Sequence, residues 1–195
     1  MKKIYESYFY YLQKRSRLGY LYRKFWLYPK LCGYLGEKTL DVGCGIGDLL
    51  QYKKNIIGVD INSESVKYCR SKGLNARLMK IDILPFKSNV FNSIVLDNVL
   101  EHIENPELLL HEVRRVLIDN GNILVGVPGS KGFSSDPDHK VFYSESKLVD
   151  VLADNGFTLD LMFNMPFEWK YLDSRASQYC IYAIFKKTIY EDFAS

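Results

Sequence analysis

From Thr39 onward the chain alternates short apolar runs with stretches of helical period, and this alternation constrains its fold more than any other feature. The runs are TLDV, IIGVD, ARLMKID, FNSIVLD, NILVGVP, FTLDLMF and QYCIYAIFKK. Predicted helices start near Asp48 and cover Ser63–Lys72, Pro106–Leu117 and Glu145–Asn155. Turn signals separate them at Asn62-Ser63, Asn105-Pro106, Asp119-Asn120-Gly121 and Asn155-Gly156. The pattern implies an α/β fold, a doubly wound parallel sheet with helices on both faces. Its ligand is expected at the carboxyl ends of the strands, where strand order reverses.

A chain of 195 residues, 47% hydrophobic and 25% charged, suits one globular domain. It has no apolar stretch of membrane-spanning length and no signal-peptide pattern, so a cytoplasmic protein is expected. Cys32, Cys44, Cys69 and Cys180 are scattered, which argues against a disulfide framework and a structural zinc site. Charge is uneven. Residues 1–38 hold nine Lys or Arg against Glu6 and Glu37, a net +7, which leaves −4 for residues 39–195 of a chain totalling +3.

The turn after TLDV reads Gly43-x-Gly45-x-Gly47 and is preceded by Asp41. A dinucleotide fingerprint would place its third glycine at position 48, where this chain has Asp48, a carboxylate that would repel a diphosphate. The spacing suits a ligand without phosphate whose cationic end meets a carboxylate. Cys44, inside the turn with no histidine near it in sequence, reads as a small side chain packed beneath a ligand. Asp60 closes the second run, where a carboxylate can accept both hydroxyls of a ribose.

LDVGCGIGDLL, IIGVDIN, KIDILPF and FNSIVLDNVLEHIENPELLLHEVRRVLIDNGNILVGVP resemble the successive motifs of class I S-adenosylmethionine-dependent methyltransferases of the small type 11 or type 23 kind. The resemblance covers Thr39 to Pro128 and continues more loosely beyond. It implies a Rossmann-like seven-stranded sheet whose last strand, Gln178–Lys187, runs antiparallel, and S-adenosylmethionine as cofactor. It implies that Asp41, Gly43, Cys44, Gly45 and Gly47 form the cofactor loop, with Asp41 supporting the loop or receiving the ammonium. Asp60 and Ile61 would lie at the ribose. Asp82 would face the adenine amino group, with Ile83 on the ring, and Asp97, Asn98 and Val99 would line the methionine side.

Methyl transfer to an alcohol needs a proton acceptor within reach, whereas a neutral amine can attack without one. The chain has three histidines. His111 falls within an amphipathic helix and reads as structural or surface. His102, in LEHIENP, either orients the loop after the fourth strand or acts directly. His139, in SSDPDHKVFYSES, reads as a base oriented by Asp136 or Asp138, or as a pin for its loop. Similar DH..FYS stretches in the resembling small-molecule and glycan enzymes imply a lid that touches substrate.

An Asp/Asn-Pro-Pro-Tyr turn and a Pro-Cys nucleophile are both missing, and no acidic cluster has metal-ligand spacing, so no metal is expected. The acceptor expected is a hydroxyl of a saccharide or another small metabolite. Alternatives are an RNA methyltransferase and a non-catalytic S-adenosylmethionine-binding partner subunit.

Residues 1–38 read as a basic, aromatic helical extension. Two helix-period stripes, Tyr5/Tyr8/Phe9/Leu12 and Leu18/Leu21/Tyr22/Phe25, imply two helices or a bend near Gly19. The extension is either a cap whose stripes pack on the sheet domain, a lid stacking on the acceptor, a helix on an anionic membrane, an RNA surface, or an arm completing a homodimer.

Overall fold

Every residue of TLDV is buried, which marks it as a strand covered on both faces. In the computed structural model, which describes residues 17–166 and 179–188, Thr39–Val42 is strand β1 and lies inside a seven-stranded sheet. The others are β2 (Ile56–Asp60), β3 (Ala76–Leu78), β4 (Phe91–Asp97), β5 (Leu117–Pro128), β6 (Phe157–Met165) and β7 (Cys180–Lys187). Their order is β3-β2-β1-β4-β5-β7-β6. The first five run parallel, and β7 is antiparallel to both β5 and β6, as the resemblance implies. The order reverses between β1 and β4, which opens the ligand crevice there.

The helices are α1 (Arg17–Tyr22), α2 (Tyr28–Cys32), α3 (Asp48–Tyr52), α4 (Ser63–Ser71), α5 (Glu107–Val116), α6 (Ser130–Ser135) and α7 (Glu145–Asp154). Leu109, Leu110, Val113 and Val116 of α5 join Leu148 and Leu152 of α7 in one core layer. Leu27, Tyr28 and Leu31 join Leu49 and Leu50 of α3 and Val66 and Cys69 of α4 in the other. Each fully buried aliphatic side chain contributes about 1.5–3 kcal/mol.

Gly19 lies within a helical path that runs from Arg17 to Cys32 and carries a π turn at Arg23–Leu27, while the helix expected before it lies outside the described residues. The wider turn shifts the phase of the face that follows. Leu18 (79% exposed), Leu21 and Phe25 (67% exposed) stay in solvent, while Leu27, Tyr28, Leu31 and Leu35 enter the core. The stripe at Tyr5/Tyr8/Phe9/Leu12 and the start of the last strand at Gln178 lie outside the described residues. One expectation needs correction: the Asp119-Asn120-Gly121 turn does not precede β5 but sits within it. Pairing jumps from Phe91↔Leu117 to Ser93↔Asn122, and Asn120 takes a φ of 59°. The short helix α6 has no clear signal in the sequence.

Candidate functional site

The loop leaving β1 is drawn across the end of β2, where Gly43 and Cys44 donate their amides to the Val59 carbonyl at 2.8 and 3.0 Å. Gly43, Gly45 and Gly47 have φ of 74°, 53° and 79°, a region that side-chain-bearing residues rarely adopt. A Cβ on Gly47 would also lie 2.7 Å from Leu74 Cδ1 and 2.9 Å from Cys69 Sγ. Asp60 fixes the loop from the next strand. Its Oδ2 accepts from Gly45 N at 2.8 Å and its Oδ1 from Asn62 N at 2.7 Å. Burial raises this carboxyl, against the lowering effect of the backbone amides. Each oxygen keeps accepting capacity for a ribose hydroxyl.

Cys44 is buried, and a Cβ on Gly58 would lie 2.7 Å from its Sγ. A hydrogen bond with Cys69 and burial push its thiol up, which leaves it uncharged and packed under the loop.

The other predicted cofactor residues fall along the same carboxyl edge. Ile61 and Ile83 follow β2 and β3 and leave apolar surface 41% and 54% exposed. Asp82 and Asn98 adopt positive φ, 56° and 57°, uncommon for residues other than glycine and concentrated at functional sites. Val99 meets the glycine loop directly, since a Cβ on Gly43 would lie 2.7 Å from its Cγ2. Asp97 Oδ1 accepts from Asn98 Nδ2 at 2.8 Å and from Tyr182 Oη at 3.0 Å. Asp41 lies buried among these acids. Burial, then the charges of Asp97 and Asp60, hold its carboxyl well above the usual range.

Arg23 reaches into this acidic crevice from the π turn, with Nη1 3.4 Å from Asp48 Oδ2. Trp26 Nε1 donates to the Pro166 carbonyl at 2.9 Å, which ties the arm to the end of β6. The basic and aromatic character of both residues is visible in the sequence, but the helical phase that turns Arg23 inward is set by the π turn.

Beyond Val99 the chain makes a 3₁₀ turn, Leu100–His102, and here the histidines gather. The ring centroids of His102 and His139 are 4.9 Å apart. His139 Nε2 lies 3.9 Å from Glu101 Oε1 and 4.0 Å from Asp136 Oδ2. The expected partners differ in detail. His139 Nδ1 meets the Phe133 carbonyl at 2.9 Å instead of an Asp carboxylate, and Asp138 offers its main-chain carbonyl to His102 Nδ1 at 3.2 Å. Burial lowers His102, while that carbonyl raises it.

Glu101 was not foreseen. It is fully buried, and burial pushes its carboxyl up to about 8, with its own backbone amide opposing and Asp97 and Asp136 adding to the rise. The Glu-His pair in LEHIENP is the signal that could have revealed it. His111 stands apart, in the wall of a cavity of about 500 Å³ with Asn89 and Gly156 at the amino ends of the strands. At that end Arg115 is paired with Glu112 and Lys187 with Asp119.

Residues 40–125 match the family model described as a methyltransferase domain. A solved S-adenosylmethionine-dependent methyltransferase of Thermotoga maritima superposes with a TM-score of 0.74 at 18% identity, covering 96% of this chain and all of that one. The methyltransferase-domain match thus spans 86 of the 195 residues, and the fold of the described residues is that of solved S-adenosylmethionine-dependent methyltransferases. A Methanosarcina mazei S-adenosylmethionine-dependent methyltransferase superposes with a TM-score of 0.66 at 22% identity, covering 85% of this chain and 100% of that one. An uncharacterized protein of Methanocaldococcus jannaschii is 29% identical over 131 residues, 62% of this chain and 64% of that one. The chain spans between 35% and 64% of the lengths of eight curated relatives that it matches.

The residues present along the carboxyl edge fit S-adenosylmethionine, the cofactor of those two solved methyltransferases. The left-handed glycines admit close approach, Asp60 retains accepting capacity, and Ile61 and Ile83 offer apolar surface at the strand ends. No helix among the described residues is long and apolar enough to cross a membrane.

Proposed function

We propose that the chain is an O-methyltransferase acting on a hydroxyl of a small metabolite, with saccharides the first class to test. The observation that carries this reading is the grouping of Glu101, His102 and His139 two to three residues beyond Val99, and one loop away from it. An alcohol must lose a proton during methylation, and such a cluster beside the methionine side of the cofactor, with Asp136 Oδ2 4.0 Å from His139 Nε2, supplies the groups to draw it off. When bound, S-adenosylmethionine supplies an electrophilic methyl on a sulfonium. Asp41 and the glycine loop would hold its amino-acid end, Asp60 the ribose, Ile61 and Ile83 the adenine, and Asp97 to Val99 would border the methyl. The exposed rings of Tyr20 and Phe25, with Lys24 Nζ 5.7 and 5.6 Å from their centroids, give the arm a surface suited to stacking on a sugar or ring.

The test has two stages. Calorimetry should show one S-adenosylhomocysteine bound per chain. Transfer of labelled methyl from S-adenosylmethionine is then scored against a panel of saccharides, other alcohols, amines, carboxylates and RNA. Labelling of an alcohol class supports the reading, and labelling confined to RNA or amines refutes it. Binding without any transfer favours a cofactor-binding scaffold.

A further inference from the structure

A buried carboxylate needs a proton, a hydrogen-bond donor or a cation. Neither oxygen of Glu101 meets a donor from another residue among the described residues. The two imidazoles beside it are arranged as metal ligands usually are. His139 Nδ1 is engaged by the Phe133 carbonyl and His102 Nδ1 by the Asp138 carbonyl, so each neutral ring carries its N–H on Nδ1 and its lone pair on Nε2. Glu101, His102 and His139 offer ligand atoms that all lie within 4.8 Å of one another. Atoms bound to one ion at about 2.1 Å lie about 3 to 4 Å apart, so modest side-chain rotation closes the set. The backbone holds the partners in place: Lys140 and Val141 both donate to the Glu101 carbonyl, at 2.7 and 3.0 Å, and so lock the His139 loop onto the 3₁₀ turn.

We infer that Glu101, His102 and His139 form a binding site for a divalent first-row transition-metal ion of the Mn²⁺, Co²⁺ or Zn²⁺ kind, open on one side to the acceptor. Two imidazoles and one carboxylate are too nitrogen-rich for Mg²⁺ or Ca²⁺ and suit these ions. The absence of an acidic cluster in the sequence hides the site, because its ligands come from a Glu-His pair and a histidine 37 positions later. The existence of the site stands without the methyl-transfer reading. Its role rests on that reading. A coordinated acceptor hydroxyl loses its proton to the Asp136 carboxylate, 4.0 Å from His139 Nε2, and from there to solvent. The acceptor oxygen then forms the bond to the methyl carbon as the carbon–sulfur bond breaks, and that electron pair returns to sulfur, turning the sulfonium into a thioether. The ion is neither oxidised nor reduced. His139 in this arrangement is a ligand and not the base.

The probe is Co²⁺ added to the tag-free, chelator-treated full chain. The expected result is saturable binding of one Co²⁺ per chain, read by its visible absorption and by equilibrium dialysis. Affinity should fall at least tenfold in Glu101→Gln and in His139→Ala, with S-adenosylhomocysteine binding by calorimetry unchanged. A second readout needs no variant. The ring resonances of His102 and His139 should move far outside the diamagnetic range on adding Co²⁺, while those of His111 stay within it. No saturable binding, equal binding in the variants, or a response from His111 equal to that of the other two overturns the inference. Loss of S-adenosylhomocysteine binding in the unmodified chain would instead refute the methyltransferase reading and leave the metal result standing.

Discussion

Tyr182 Oη donates to Asp97 Oδ1 at 3.0 Å, a bond between the antiparallel strand β7 and the carboxyl end of β4. A Cβ on Gly126 of β5, the strand between them, would lie 2.5 Å from Tyr182 Cε1 and 2.6 Å from Asp97 Oδ1. The far half of the sheet thus supports the residue expected to border the reacting methyl. Tyr182→Phe should cost about 1–2 kcal/mol, lowering the melting temperature by roughly 2–8 °C. Turnover should fall more than cofactor affinity does. Differential scanning calorimetry, alongside kcat and binding measurements, checks this.

Asp60→Ala removes both the tie to Gly45 N and the acceptor for the ribose hydroxyls. Hydrogen bonds to charged groups are each worth about 1.5–3 kcal/mol, so loss of two predicts a weakening on the order of 100-fold or more. Titration calorimetry with S-adenosylhomocysteine reads it directly, and an unchanged affinity removes Asp60 from the site.

Asp41 gives a pH-dependent signature. Its folded-state carboxyl is raised by burial and by neighbouring acids, so its contribution to stability is fully present below about pH 3.9, the unfolded value. That contribution is lost as pH rises towards the folded value. Asp41→Asn mimics the protonated acid. It should match the parent in acid and exceed it increasingly above about pH 4, by at most about 1.4 kcal/mol per unit within the window. Urea unfolding of the ligand-free proteins at stepped pH tests the sign. Binding of a cationic cofactor should also release protons, seen as buffer-dependent heats.

Two glycines separate backbone strain from packing. Gly47 and Gly73 have nearly equal φ, 79° and 74°, but a Cβ on Gly73 meets nothing within 4 Å whereas one on Gly47 meets Leu74 and Cys69. Gly73→Ala should cost about 1–2 kcal/mol from the left-handed backbone alone. Gly47→Ala should cost more and should weaken cofactor binding, which Gly73→Ala should leave intact. Equal losses in both would show that the Gly47 contacts yield without cost.

The strands, their helices and the glycine loop were legible because each is written locally, in period, cap residues and turn chemistry. Asp41, Asp60, Asp82 and Asp97 stand at strand ends that sequence alone can locate. What escaped depends on register or distance. Leu18, Leu21 and Phe25 stay in solvent, while a π turn carries Arg23 towards Asp48 and shifts the phase of the buried face after it, and helical periodicity assumes a phase that such a turn breaks. Glu101 reads as one of many surface acids until the 3₁₀ turn and the Lys140–Val141 clamp bury it beside His139.

The place of β7 between β5 and β6 has a consequence for a chain that leaves the ribosome N-terminus first. β6 emerges before the strand that must separate it from β5, so it has no native neighbour in the sheet during that interval. The anchor on Asp97 and the seat of the arm against Pro166 are likewise completed only after the chain around them has been made. A nascent chain halted before Cys180 should therefore hold the glycine loop and β1 to β5 in place while remaining unable to assemble the acceptor side, with β6 as the segment most in need of a chaperone.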